Sequence, residues 1–231
     1  MRIRVIIPNS SEPFRAGQEE DRKKAASAGV EVEVVCLPAG PESIESAYDE
    51  ALAGPHIIDQ VVRAQAEGCD AVSLDCAMDT VVRAAREAVE IPVVSAGEAS
   101  HLLALALARQ FSIVTVMDAT AEAIKENLAQ TGLAGRVASV RVAHIPVLEL
   151  ADQERAFTAI LAQARSAIDN DGAQAIVLGC TGMSQVAERL QKELDLPVID
   201  PAAAAIQLAQ VYVRMGLTGS RATYGLRQKG D

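Results

Sequence analysis

Two of the four cysteines in this 231-residue chain end matching segments. Cys76 closes the apolar run in AVSLDCAMD (71–79), and Cys180 closes the one in AIVLGCTGM (175–183). A buried strand that stops on a cysteine puts a thiol where open parallel sheets hold ligands, beyond the carboxyl ends of their strands. A cysteine just before a helix has its thiolate favoured by the helix dipole and by free N–H groups. The small neighbours Ala77, Thr181 and Gly182 let main-chain N–H groups approach a ligand oxygen. Two thiols facing one another across a cleft suit one reaction class. A thiolate takes a proton from one face of a carbon, a thiol returns one to the other face, and main-chain donors hold the enolate between them.

The other polar groups have blander readings. Cys36, inside a strand, and Cys69, before one, read as small core hydrophobes. No CxxC occurs, and His56, His101 and His144 stand in helical or mid-strand settings away from the cysteines, so no metal site is expected. His101 opens an apolar helix and reads as a surface residue, while His144 and Glu149 read as structural. Asp75 and Asp79 flank Cys76, where either carboxylate would raise a thiol's pKa. Asp79 reads as the cap of the helix it precedes. A Cys76–Cys180 disulfide is not expected, because thiols flanking a ligand stand too far apart to bond.

Eight short runs rich in Val and Ile must position these residues. RIRVII (2–7), EVEVVCL (31–37), AVSL (71–74) and PVVSA (92–96) make one set of strands. FSIVTV (111–116), SVRVAHI (139–145), AIVL (175–178) and PVID (197–200) make the second. Stretches with helical spacing lie between them, with Gly29, Gly68 and Gly172 at expected C-caps. Strands alternating with helices give parallel sheets covered on both faces. The two sets also repeat: Ile91-Pro92-Val93-Val94 answers Leu196-Pro197-Val198-Ile199, and Cys76 answers Cys180, at an offset of roughly 105 residues. The expected fold is α/β, with two similar Rossmann/flavodoxin-like lobes, each a four-stranded parallel sheet, related by a pseudo-twofold with the site between them. Residues 1–98 plus 206–231 are expected to form the first lobe and 99–205 the second. The helix after the last strand of each lobe is expected to cross to the other.

A half-apolar composition can fill such cores. The net charge of −10 and a pI near 4.9 argue against a nucleic-acid partner. MRIRVII is too short for an export signal and is broken at once by Pro8, and HLLALALARQ ends in charge after about two helical turns, so neither export nor a membrane is expected. Free thiols then suggest the cytoplasm. With no GxGxxG after a strand, no GxxxxGK[ST] and nothing marking a PLP lysine, no cofactor is expected. The expected partners are a small-molecule substrate and further copies of the chain.

Five stretches carry a resemblance: VIIPNSS at the start, GPESIESAYDEA (40–51), LDCAMD, LGCTGM and LPVIDPAAAA. With them the chain resembles the aspartate/glutamate racemase superfamily over nearly its whole length, and within it the hydantoin racemases, which include allantoin racemases. The resemblance implies cofactor-independent racemisation by Cys76 and Cys180, with substrate contacts from the loop holding Asn9, Ser10 and Ser11. Asp75, Ala77, Met117, Thr181 and Gly182 are further expected contacts. Amino-acid racemases of the superfamily typically carry an acid at the position of Asn9, so a neutral Asn fits an uncharged substrate better. Ala77 and Met78 stand where many hydantoin racemases have an aromatic residue. With three Phe, three Tyr and no Trp, an aromatic-lined pocket is not expected.

Removing a proton beside a carboxylate needs strong positive or donor groups, and the segments assigned to the cleft (PNSS, DCAMD, VMDAT, GCTGM and IDPAA) offer main-chain amides, small hydroxyls, an Asn and acids but no Arg or Lys. A neutral amide-flanked carbon such as C5 of a hydantoin needs only a few N–H donors. A 5-substituted hydantoin, allantoin included, is therefore the expected substrate. The alternatives are an Asp/Glu-type racemase, a maleate cis–trans isomerase of the same fold, or a non-catalytic small-molecule binding protein. An arylmalonate decarboxylase keeps one of the two cysteines and fits less well.

Overall fold

The computed structural model describes residues 1–225; the last six residues of the first-lobe assignment, 226–231, lie outside the described residues. The strands are β1 (Arg2–Ile6), β2 (Glu31–Val35), β3 (Ala71–Leu74), β4 (Val93–Ser95), β5 (Phe111–Thr115), β6 (Val137–Val142), β7 (Ile176–Leu178) and β8 (Val198–Ile199). The helices are α1 (Glu12–Lys24), α2 (Ala47–Ala66), α3 (Val82–Ala88), α4 (Ala96–Leu107), α5 (Asp118–Thr131), α6 (Gln153–Asp171), α7 (Ser184–Leu194) and α8 (Pro201–Met215). The strands form two all-parallel four-stranded sheets with the same order, β2-β1-β3-β4 and β6-β5-β7-β8. The repeat in the sequence is thus a repeat in topology, because each half places its first strand centrally and crosses back to the far side.

Residues of β1 feed the apolar packing on both covered faces of the first sheet. Ile3 and Ile6 enter the main core with Ile57 and Val61 of α2, whereas Val5 and Ile7 face Val32, Val34 and Ile206 of α8. The main core runs on without a break to Phe111, Ile113 and Val177 of the second sheet. A further cluster packs Val114, Ile176 and Leu178 against Phe157 and Ile160 of α6 and Leu190 of α7. Helix α4 packs on β7, β8 and β4, and α8 packs on β1, β3 and β4 as well as on α4. Helix α4 therefore touches both sheets, and α8, which follows β8 of the second sheet, packs on the first.

Three local expectations change. Gly68 and Gly172 end helices with φ of 81° and 75°, whereas Gly29, five residues beyond α1, turns the chain into β2. Cys36 lies one residue past β2, and its thiol donates to Glu12 Oε2 at 3.4 Å. His101 is buried and stacks on Phe111 at 5.9 Å between ring centres, because α4 crosses to the second sheet there. Burial pushes its imidazole down to about 4, so it is neutral at pH 7.

Candidate active site

Cys76 and Cys180 line one cleft between the carboxyl ends of the two sheets. Ile7, Pro8 and Asn9 enter it after β1, and Asp75, Cys76, Ala77 and Met78 after β3. Val116 and Thr120 enter after β5, and Gly179, Cys180 and Thr181 after β7. Phe14, Ile44 and Val147 complete the wall. Gly179 is required where it stands: a Cβ there would lie 2.6 Å from Thr115 Cβ, so only glycine lets the Cys180 turn fold over β5.

The cysteines share a local geometry. The Met78 N–H is directed at Cys76 and the Gly182 N–H at Cys180, two residues on in each case. Those donors favour the thiolates, but burial outweighs them and pushes Cys76 up to about 12 and Cys180 up to about 11. Charge supports the same direction, since Glu50 faces Cys76 and Asp75 faces Cys180. This corrects the expectation of thiolates favoured by helix termini. Helix α3 begins at Val82, too far along to act on Cys76, and at Cys180 a short 3₁₀ turn (Thr181–Met183) precedes α7.

The other expected site residues divide. Asn9, Asp75, Ala77 and Thr181 line the cleft. Asn9 is buried, and its side-chain oxygen accepts from the Ser11 N–H at 3.1 Å. Ser10, Ser11 and Met117 are not among the lining residues. The Ser10 hydroxyl donates to the carbonyls of Gly40 and Pro41, and Ser11 caps α1 by accepting from the Phe14 N–H. Met117 precedes α5 and packs into the second-lobe core. Gly182 is buried beside Leu150 and Phe14 and offers its amide to the site rather than surface. Asp79 caps not α3 but α4: it accepts from the Ser95 hydroxyl and from the Glu98 N–H at 3.1 Å.

Two features had no signal of their own in the sequence. Phe14 gives the cleft an aromatic wall, against expectation, and nothing in EPFRAG distinguishes it from an ordinary first-turn residue. Arg22 sits in the basic last turn of α1, where an exposed side chain would suit the helix dipole. Instead it is 1% exposed behind the cleft. It donates to Asp75 Oδ2 through Nε at 3.1 Å and Nη2 at 2.9 Å, to the Thr181 carbonyl at 2.8 Å and to Ser184 Oγ at 3.0 Å. The Thr181 hydroxyl donates to the Asp75 carbonyl at 3.1 Å. The residue before one cysteine and the residue after the other are thus bonded directly and share one guanidinium. No Lys or Arg is among the lining residues of the cleft itself.

The Asp/Glu/Hydantoin racemase family matches residues 3–209. A hydantoin racemase of Pseudomonas sp. (strain NS671) is 36% identical over 233 residues, covering 100% of this chain and 94% of that protein. The allantoin racemase of Klebsiella pneumoniae superposes with a TM-score of 0.95 at 34% identity, over 99% of this chain and 94% of the other. That of Pseudomonas fluorescens superposes with a TM-score of 0.95 at 33% identity, over 100% and 99%.

Proposed function

Because the chain belongs to the Asp/Glu/Hydantoin racemase family, we propose that it inverts the acidic carbon of a 5-substituted hydantoin, allantoin included, with Cys76 and Cys180 as its acid/base pair. The chain is a racemase of this superfamily, hence an isomerase; substrate and cysteine roles are the proposal. The observation that carries it is the cleft, with one cysteine entering from each sheet, a main-chain N–H beside each sulfur and no cationic side chain in the lining.

The reaction then runs as follows. One sulfur, as thiolate, takes the proton from C5, and the electron pair of that C–H bond moves onto the adjacent ring carbonyl as an enolate. The opposite thiol gives its proton to the other face of C5, and the pair returns to carbon. The two sulfurs finish with exchanged protonation states, so no cofactor is consumed. Main-chain N–H groups near Ala77, Thr181 and Gly182 stabilise the enolate oxygen, and Asn9 holds the ring. A free amino acid would bring a carboxylate into a lining whose only charged side chain is Asp75, which Arg22 already pairs.

Replacing Cys76 or Cys180 by Ser should abolish inversion of both enantiomers. Polarimetry on L-alkyl and L-aryl hydantoins, allantoin, aspartate, glutamate and maleate checks substrate and mechanism together. Undiminished racemisation in either variant would refute the cysteine pair, and faster turnover of aspartate or glutamate than of any hydantoin would refute the substrate class.

The reading includes a cytoplasmic homo-oligomer. All four cysteines are free, which suits a reducing compartment, and Leu102, Leu103 and Leu107 of α4 with Val211 and Met215 of α8 expose apolar surface suited to a second copy. Sedimentation as a monomer at micromolar concentration would count against it.

A further inference from the structure

The two cysteines differ in what stands behind them. Four residues after Cys76 is Thr80, 3% exposed, its Oγ1 3.5 Å from Cys76 Sγ. The same hydroxyl donates to Glu50 Oε1 of α2 at 2.7 Å. A hydroxyl has one proton, so the direction of both bonds is fixed: Thr80 gives its proton to Glu50 and accepts the thiol proton of Cys76. Glu50 is half-buried, and its carboxyl is raised by burial and by the facing Glu126. Four residues after Cys180 stands Ser184, the counterpart of Thr80. Its one hydroxyl proton is instead shared between the Thr181 carbonyl at 2.9 Å and Asp200 Oδ1 at 2.8 Å, and its oxygen accepts from Arg22. It makes no bond to Cys180.

We propose that Thr80 and Glu50 form a proton path serving Cys76 alone, through which this cysteine exchanges its proton with solvent while substrate fills the cleft. The path rests on the two-cysteine reading above. Its step balances without a co-reactant: the Cys76 S–H proton passes to Thr80 Oγ1 as the Thr80 O–H proton passes to Glu50 Oε1. This leaves a thiolate and a carboxylic acid, with net charge unchanged, and the reverse step restores both. Cys180, lacking the path, exchanges only through the open cleft.

The test follows deuterium in D2O from each pure enantiomer of 5-methylhydantoin, or of allantoin if only that is turned over. Mass spectrometry of the recovered, uninverted substrate reads the exchange. When Cys76 is the base, it trades the captured proton for a deuteron and returns it to the same face. Recovered substrate of that enantiomer should therefore carry at least fivefold more deuterium per inversion than the other. Thr80→Val and Glu50→Gln should both remove the asymmetry, and Thr80→Ser should restore it. Glu50→Gln is the decisive variant, since Gln still accepts the Thr80 hydrogen bond through its carbonyl oxygen but cannot take up and release a proton. Equal wash-in for both enantiomers in the unaltered enzyme, or wild-type asymmetry in Glu50→Gln, would overturn the path. Failure of the underlying reading shows itself separately, as racemisation surviving in Cys76→Ala or Cys180→Ala.

Discussion

At the residue scale, the two sulfurs are poised as thiols. With Cys180 at about 11, forming its thiolate at neutral pH costs about 5 kcal/mol, at 1.36 kcal/mol per unit over about four units. The empty site therefore rests with both sulfurs protonated, and the form holding one thiolate grows tenfold with each pH unit. The expected kcat/KM rises about tenfold per unit from about pH 6 to pH 9 rather than peaking near neutrality. Iodoacetamide alkylation of Cys180 in a Cys76→Ser background should rise in parallel. A plateau in either quantity by pH 7 would show that burial does not control ionisation here.

At the element scale, the segment between β3 and α3 is bent and pinned. Asp79 and Val81 both adopt left-handed φ, 56° and 49°, and for a β-branched Val this costs on the order of 1–2 kcal/mol. The restraint comes from other elements. Asn127 of α5 donates to the Met78 carbonyl at 2.5 Å, and Asp79 accepts from the start of α4. Gly97 makes that approach possible, since a Cβ there would lie 2.4 Å from the Ala77 carbonyl oxygen. Burial pushes the Asp79 carboxyl up to about 7, so the folded protein binds this proton more tightly than the unfolded chain does. The associated stability is fully present below the ordinary value of 3.8 and is lost as pH rises through about 7. Wild-type Tm should thus fall relative to Asp79→Asn between about pH 4 and pH 8, measured by thermal melts. A difference that stays flat with pH would count against this assignment.

At the scale of the whole molecule, the lobes are held in register by a buried ion pair rather than by apolar packing alone. Arg22 and Asp75 belong to the first half of the chain, and Thr181 and Ser184, which Arg22 also grips, to the second. The Val147 N–H donating to Glu45 at 2.8 Å adds a further tie across the cleft. Removing one member of a buried pair strands the other charge. Arg22→Met should therefore cost about 3–5 kcal/mol in denaturant unfolding, and adding Asp75→Asn should recover part of it. A loss below about 1 kcal/mol would mean that water already solvates the pair.

Much of this was legible in the chain. Eight Val/Ile-rich runs, punctuated by helical stretches, determine two parallel sheets, because fully buried strands must be apolar on both faces. The repeat determines that both sheets share one strand order, and a cysteine ending the third strand of each must then stand at a carboxyl edge. Local pattern could not reach the rest. Whether Arg22 faces water or Asp75, and whether Asp79 caps its own helix or α4, depends on partners 53 and 19 residues away. His101 is buried because α4 crosses to the second sheet, and Phe14 walls the cleft because α1 lies over Gly182. The sulfurs' ionisation escapes the sequence for the same reason: dipoles and amides are local and read from sequence, whereas desolvation is summed over both lobes and exists only once they close on one another.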